Sequence, residues 1–410
     1  MVVLVTSTST RPWGPSLAVL SVVTAIAVST IYLPQPLLTE FIGQLGTTTA
    51  AASGIATAVQ LGYALGIFLL VPLADHVQPR AQISLQMLLL AAGLVVTAAL
   101  PGAGSVAAGF FAVGFVANIA QLIIPTASRI APAEAKQATT SALVGSLLIG
   151  IFGGRIVAGL LGGVVGWRGV LIVFAVLVLL CVPLVRRAVP KDLTTAERVG
   201  YHRILLRTVR RVGTSRVLRE SAVIQLFGFA AFNAVWTVMV LHLTRTLGWG
   251  VAAAGLFGLV GLAAGVVVLL GAPAVQRLGS TRTVTASIVV LLLALVAVSA
   301  DADAIWLFAP TVFVLTWANQ LLQSANQGRV LQANADGGAQ ANTVFMTAVF
   351  LGGSLGAALG PIAFERGGMP AVALLGTGLV AVAGVVWAVS SIASRRREAR
   401  PSATSFGEAV

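Results

Sequence analysis

Charged residues are scarce in this sequence. Only 9% of its 410 residues are charged and 58% are hydrophobic, whereas a soluble globular domain carries about 25% charged residues. This balance excludes an ordinary soluble enzyme. The net charge of +13 does not indicate nucleic-acid binding, because the basic residues lie between long apolar segments and form no single patch. We therefore expect a membrane protein without a nucleic-acid partner.

Cysteine and histidine are scarcer still, with one cysteine, Cys181, and three histidines. One cysteine excludes an internal disulfide framework, and three scattered histidines argue against a metal site built from histidine. The phosphate-binding pattern G-x-x-x-x-G-K-[ST] is absent, which argues against a nucleotide partner and against an ATP-driven pump. We expect no metal, no cofactor and no enzymatic activity.

What the sequence does contain is a series of apolar segments, each long enough to cross about 30 Å of hydrocarbon as a helix. We predict two groups of six transmembrane helices: 15–42, 48–72, 81–100, 104–128, 138–163 and 168–187, then 220–244, 250–273, 281–300, 303–327, 340–364 and 371–393. The predicted organisation is a cytoplasmic N-terminus 1–14, an N-terminal half 15–187, a basic cytoplasmic linker 188–219, a C-terminal half 220–393 and a cytoplasmic tail 394–410.

Lysine and arginine fix the predicted orientation. With both termini in the cytoplasm, the cytoplasmic side carries 21 of these residues and the outer side three, so the positive-inside rule predicts a multi-pass protein of the cell (inner) membrane. In the linker, Ile204 to Val209 interleave apolar residues with arginines at helical spacing. This pattern favours a short helix on an anionic lipid surface, and a solvated tether is the alternative.

The two groups of helices resemble each other in sequence. An offset of 201 residues places Asn118 on Asn319 and Gly159 on Gly360. Parallel repeats of six spans are expected of a transporter with two rocking halves and a binding site between them. Small residues let helices approach closely in lipid, and we predict such packing at Gly150, Gly154, Gly159, Gly352, Gly356 and Gly360.

Four stretches resemble a known family. The sequence VPLADHVQPR at 71–80 is similar to the motif G-x-L-A-D-R-x-G-R-K, and GIFGGRIVAG at 150–159 is similar to g-x-x-x-G-P-x-x-G-G with Arg155 at the proline position. The other two are 121–132 with 166–168, and the most specific, 326–360. Together they resemble the major facilitator superfamily (MFS), in particular its twelve-span drug/proton antiporter branch and bacterial arabinose-efflux-type permeases.

This resemblance implies an all-α membrane protein with the MFS fold, twelve transmembrane helices in two pseudo-symmetric six-helix bundles. It also implies a secondary active transporter that works by alternating access, with proton-coupled efflux of small, partly apolar organic compounds as its activity. A sugar or metabolite facilitator without proton coupling is the alternative, and a non-transporting membrane receptor is a remote one. We expect a monomer whose partners are the substrate, protons and anionic lipids.

Arg155 is the main candidate for the transport site, because a permanent charge inside a span is costly unless it faces a wet cavity or a partner. We predict that it faces the central pathway, and a lock to Gln121 or Gln60 is the alternative. Amide and aromatic residues supply the other candidates. The predicted substrate and cavity residues are Tyr32, Gln35, Gln121, Arg155, Phe232, Asn233, Trp236, Asn319, Gln323 and Asn326.

Two further pairs of residues are predicted to act during the transport cycle. Asp75 and Arg80 are the candidates for a charge clasp that holds one conformation closed. No Asp or Glu lies at the middle of a predicted span, so the proton-coupling candidates lie near span ends. They are Glu40, which follows two prolines expected to distort the first span, and His242.

Overall fold

The computed structural model describes residues 13–191, 193 and 200–398, and in these ranges the regular structure is helical, with no strand. Ten helical stretches of this part of the chain are long and apolar enough to cross a membrane. The α-helices are α1 (Trp13–Ser29), α2 (Leu38–Leu45), α3 (Thr49–Leu70), α4 (Pro79–Ala99), α5 (Ala103–Val116), α6 (Ile119–Ile130), α7 (Lys136–Ala188), α8 (Tyr201–Thr214), α9 (Arg216–Leu241), α10 (Val251–Leu256), α11 (Gly258–Leu278), α12 (Ser280–Asp301), α13 (Ile305–Ala333) and α14 (Gly338–Glu398).

Helices α7 and α14 each contain two membrane crossings, so the ten stretches give twelve. The 53 residues of α7 would be about 80 Å long in a straight helix, more than twice the hydrocarbon thickness. The helix is broken at Gly166, which has a φ of 66°, and α14 is broken at Gly368, with a φ of 61°. Glycine adopts positive φ without a steric penalty. The predicted all-α class with twelve crossings is confirmed.

Three predicted spans are interrupted in the structure. The first span consists of α1, a 3₁₀ turn at Thr30–Tyr32 and the short helix α2. Pro34 and Pro36 lie between the turn and α2, where proline supplies no backbone N–H and disfavours helix in the residue before it. The fourth span is divided into α5 and α6, and the eighth into α10 and α11.

Glycines bring helices into backbone contact within each half. A Cβ added at Gly150 of α7 would lie 2.4 Å from the carbonyl oxygen of Ala25 in α1, and one added at Gly352 of α14 would lie 2.1 Å from that of Leu226 in α9. The first and fifth crossings therefore pack like the seventh and eleventh, as two pseudo-symmetric halves require. The same close approach recurs further along these helices at Gly154, Gly356 and Gly360.

The segment between the halves contains α8, a helix within the predicted linker. The Tyr201 hydroxyl donates a hydrogen bond to the Leu69 carbonyl at the end of α3, 2.6 Å away, and burial raises the pKa of Tyr201. The Arg211 guanidinium packs against Gly337, just before α14. Helix α8 therefore contacts both halves on one side of the bundle. We call this side the linker side and the opposite side the outer side.

Candidate substrate cavity

A cavity of about 310 Å³ lies between the two halves. Its lining follows α7 from Thr140, near the linker-side start of that helix, to Phe152, and it follows α13 from Gln320 to Gln327, near the linker-side end. The cavity therefore extends from the middle of the bundle to the linker side. Its volume is at the lower end of the range of about 300–1,000 Å³ that is usual for ligand pockets, which suits a small organic molecule.

The lining is mainly apolar and aromatic. Tyr63 and Phe350 have ring centroids 4.4 Å apart, and Phe229 lies 5.5 Å from Phe232 and 5.7 Å from Phe350. Among the described side chains that line the cavity none is ionisable other than tyrosine. This chemistry suits an apolar or aromatic body that forms a few neutral hydrogen bonds. The polar lining residues are Gln121, Thr140, Ser141, Gln320, Gln323, Ser324 and Gln327.

A polar layer closes the outer end of the cavity. It lies about one helical turn beyond the lining residues Tyr32 and Phe152, and all its members are buried. We call it the sealing layer, and it consists of Gln35, Gln60, Arg155, Asn233 and Thr237.

Hydrogen bonds in the sealing layer join the two halves. The Gln35 amide in the N-terminal half donates to Asn233 Oδ1 at 3.0 Å and to Thr237 Oγ1 at 3.2 Å, both in the C-terminal half. The Gln60 amide donates to the same Asn233 oxygen at 3.4 Å, and the Asn233 amide donates to the Gly353 carbonyl at 2.6 Å. Separation of the halves at this level must break the bonds from Gln35 and Gln60.

Arg155 is held in the sealing layer by neutral acceptors. Its side chain is 4% exposed, Nε donates to Gln35 Oε1 at 2.9 Å and Nη1 donates to the Ile151 carbonyl at 2.9 Å. Nη2 has no hydrogen-bond partner in the described part of the chain. The amide that holds Arg155 is therefore Gln35, and neither Gln121 nor Gln60, the two alternatives considered from sequence, bonds to it.

Three aromatic rings surround the Arg155 guanidinium. Its central carbon lies 4.3 Å from the ring centroid of Tyr32, 5.0 Å from that of Trp236 and 5.3 Å from that of Phe152. Such contacts stabilise a cation electrostatically through the ring faces. Because Tyr32 and Phe152 also line the cavity, the guanidinium lies one side chain away from it.

Further contacts between the halves close the outer side. A Cβ added at Gly159 of α7 would lie 2.7 Å from the Cα of Gly255 in α10, so these helices touch through their backbones. Arg245 bonds to Glu365 at 2.9 Å and also to Thr49 of the other half at 3.3 Å. The conformation is therefore closed on the outer side, while the cavity reaches the linker side.

Comparisons with known proteins assign the family. The family model of the Major Facilitator Superfamily matches residues 18–333. The chain belongs to this superfamily. Among relatives, it is 29% identical to the uncharacterized transporter YgaY of Escherichia coli O157:H7, over 91% of this chain and 95% of that protein. It is 31% identical to a probable transporter of Streptomyces coelicolor, over 87% of this chain and 84% of that protein.

A comparison with solved structures also shows the fold of this chain. The chain resembles the crystal structure of a mutant of the nucleoside transporter NupG with a TM-score of 0.75 and 15% identity, covering 91% of this chain and 98% of that one. At this identity the similarity speaks for the fold alone. The superfamily match, the transporter relatives and the apolar helices together identify the protein as a multi-pass membrane transporter of the major facilitator type.

The structure distributes the predicted cavity residues of this transporter over three places. Tyr32, Gln121, Phe232 and Gln323 line the cavity. Gln35, Arg155 and Asn233 belong to the sealing layer, and Trp236 packs against it while donating a hydrogen bond to Thr316 at 3.1 Å. Asn319 and Asn326 lie elsewhere: both are buried in α13, outside the lining, and the Asn326 amide donates to Gln225 of its own half at 3.4 Å.

The proton-coupling candidates also lie away from the cavity. Glu40 in α2 is half-buried on the outer side, and its carboxylate accepts a hydrogen bond from Gln44 at 2.5 Å. His242 is buried within the C-terminal half, with Nε2 2.7 Å from the Ala302 carbonyl oxygen. Arg80 lies in the first turn of α4. The side chain of Asp75 is outside the described part of the structure, so the clasp stays a prediction.

Two lining residues that were not predicted from sequence are Tyr63 and Phe350, whereas Gln320, an amide expected to line the cavity together with Asn319 and Gln323, does so. Tyr63 follows Gln60 by three positions, which places both side chains on one helical face. Because Gln60 was considered as a neighbour of Arg155, its spacing to Tyr63 was a signal that could have identified Tyr63. Phe350 belongs to the segment 326–360 that resembles the permeases, and nothing in its local sequence separates it from other core phenylalanines.

Proposed function

We propose that this protein exports small, partly apolar organic compounds from the cell by alternating access. The observation that carries the proposal is the cavity of about 310 Å³ between the halves, which is lined by aromatic rings and neutral amides. At its outer end, contacts between the halves are all that closes it. Each such contact is weak, so rocking of the halves opens the outer side and closes the linker side. The resemblance to efflux permeases supports export as the direction.

The proposal includes the membrane and the orientation. We infer that the protein lies in the cell (inner) membrane with both termini and the linker in the cytoplasm, which the positive-inside rule supports. A compound in the cytoplasm then has access to the cavity in the present conformation. Helix α8 exposes Arg203 and Arg210 two turns apart, beside Leu206 and Val209, a pattern suited to anionic lipid headgroups.

A proton gradient is the proposed energy source, with Glu40 as the leading carrier of the proton. Uncoupled facilitated transport is the second candidate. A specific observation favours it, because the described side chains of the lining include no carboxylate and no histidine, the groups that usually carry a coupled proton. The two candidates differ in one measurable property, which is accumulation against a concentration gradient.

The test uses purified protein in liposomes, loaded with fluorescent lipophilic dyes, with and without an imposed pH gradient. We expect transport above protein-free liposomes, accumulation only with the gradient, and loss of accumulation but not of equilibration in Glu40→Gln. Equilibration that ignores the gradient in the wild type would favour the facilitator.

A matched pair of variants ties transport to the cavity. Phe232 lines it and Phe227, on the same helix, does not. We expect Phe232→Ala to raise KM several-fold because the ring's contact with the substrate is lost, whereas Phe227→Ala leaves KM unchanged at equal expression. Equal effects of both variants, or no transport of any compound, would contradict the proposal.

A further inference from the structure

The Arg155 guanidinium lacks an anionic partner. No Asp or Glu forms an ion pair with it among the residues that the structure describes, and the two hydrogen bonds that it makes go to neutral oxygens. A buried ion is unfavourable unless it is paired and fully hydrogen-bonded. Its Nη2 group carries two N–H donors, and it has neither an anionic partner nor a hydrogen bond among the described residues. The conformation therefore contains a buried cation with unused binding capacity.

The carboxylates Glu40 and Glu365, on the outer side of the bundle, are engaged elsewhere. Glu40 accepts its hydrogen bond from Gln44, and Glu365 pairs with Arg245 on the outer side. Three aromatic rings attract the cation, yet ring faces supply no acceptor in the plane of the guanidinium, where its N–H groups point. The remaining acceptor has to come from outside the described side chains. Arg155 itself lines a space of about 10 Å³ with Gln35 and Gly255, which is too small for an organic ligand, so the candidate place for a ligand is the larger cavity beyond the Tyr32 and Phe152 rings.

The position of Arg155 puts it within reach of such a ligand. Ile151, Phe152 and Tyr32 all line the cavity; the first accepts a hydrogen bond from the guanidinium and the other two pack on it. The Tyr32 and Phe152 rings lie between the cavity and the guanidinium, so a ligand in the cavity reaches Nη2 when these rings move aside. The guanidinium presents parallel N–H groups that match the two oxygens of a carboxylate.

We propose that Arg155 binds a carboxylate of the transported compound, so that the substrates are organic monoanions with an apolar or aromatic body. This inference rests on the proposed transport function. A single negative charge follows from the lining, in which the described side chains offer no second cation and no anion. Gln35 is shared between Arg155 and the two acceptors of the other half. A carboxylate that displaces Gln35 from Arg155 therefore weakens the sealing layer and links binding to opening.

The test measures binding by calorimetry to the full-length protein in lipid nanodiscs. The probes are two isosteric pairs, 2-naphthoate with 2-naphthamide and octanoate with octanamide. We expect the wild type to bind each carboxylate at least 10-fold more tightly than its amide. Arg155→Gln should lower carboxylate affinity at least 10-fold and change amide affinity less than twofold, with Arg155→Lys intermediate because an ammonium group pairs with only one oxygen at a time.

Arg168→Gln is the matched control. The Arg168 guanidinium also lies on an aromatic ring, 4.2 Å from that of Trp167, and it donates a hydrogen bond to the Leu100 carbonyl. Neither Trp167 nor Leu100 lines the cavity, so we expect unchanged affinities. Amide binding as tight as carboxylate binding, or a carboxylate preference that survives Arg155→Gln, overturns the inference and leaves the transport function standing. Failure of the wild type to bind any of the four probes also overturns it. If Arg155→Gln does not fold, the wild-type preference and Arg155→Lys decide.

Discussion

Gly159 lies where the halves meet on the outer side, so a methyl group added there should destabilise only one of the two conformations. The new Cβ of Gly159→Ala would lie 2.7 Å from the Cα of Gly255, whereas carbon atoms in contact are about 3.5–4.0 Å apart. The halves must therefore separate locally by about 1 Å. Overpacking of this kind costs about 1–3 kcal/mol, which shifts the ratio of outward-open to outward-closed protein by about 5- to 150-fold.

Cysteine labelling measures this shift. The single native cysteine, Cys181, is replaced by alanine, and Val240→Cys supplies a reporter. Val240 is 6% exposed and lies near Gly255 and Arg155, beyond the cavity. A membrane-impermeant maleimide added from the outer side reacts only with the open form. We expect Gly159→Ala to raise the labelling rate by about 5- to 150-fold, because the rate follows the open population.

The control and the refuting result use the same helix. A Cβ added at Gly163, one turn further on, meets no atom within 4 Å, so Gly163→Ala should leave the labelling rate unchanged. Both variants should express and unfold like the wild type. Equal labelling in Gly159→Ala and the wild type would mean that the Gly159–Gly255 contact does not close the outer side, and a similar rise in Gly163→Ala would mean that the effect is not specific to the contact.

Three further outcomes follow from the contacts between the halves and from α8. Asn233→Ala removes two hydrogen bonds between the halves, each contributing about 0.6 kcal/mol in a membrane, and should raise reporter labelling about 5- to 10-fold; no rise would exclude the sealing layer as a barrier. Arg245→Gln removes the hydrogen bond to Thr49 of the other half and an exposed ion pair with Glu365 inside its own half; only the first contact joins the halves and contributes less than about 1 kcal/mol, so labelling should rise less than about fivefold, and a larger rise would contradict this ranking. Replacing Arg203 and Arg210 by glutamine should reduce the binding of detergent-solubilised protein to anionic lipid, measured by native mass spectrometry; unchanged binding would argue against a lipid contact at α8.

The fold was predictable because its main signal is local. An apolar run of a given length is needed to cross the hydrocarbon whatever the neighbouring helices do, so the twelve crossings could be read along the chain. The breaks inside spans were less accessible. Pro34 and Pro36 predict the interruption of the first span. Phe257 separates α10 from α11, but a phenylalanine does not predict a break in a helix.

The sequence predicted which types of residue form the candidate site, but not which of them contact each other. Arg155 stands out because a charge in a span is rare, but its partner Gln35 is 120 positions away and depends on how α1 packs against α7. Asn319 and Asn326 illustrate the opposite problem. An amide in a span forms its hydrogen bonds either in a cavity or between helices. Asn326 bonds to Gln225 inside its own half, whereas the Asn319 side chain is buried there without a hydrogen-bond partner among the described residues.

The close-approach glycines divide into two groups with different consequences for the cell. Gly150 and Gly352 join helices that never part, so a larger side chain there lowers the yield of folded protein and leaves the turnover of each surviving molecule unchanged. In the proposed alternating-access cycle Gly159 joins surfaces that part each time the outer side opens, so the same chemical change should alter turnover and leave the yield intact. Measuring both the amount of folded protein and its transport rate per molecule for each glycine variant would therefore identify the surface at which the two halves separate, without a second structure.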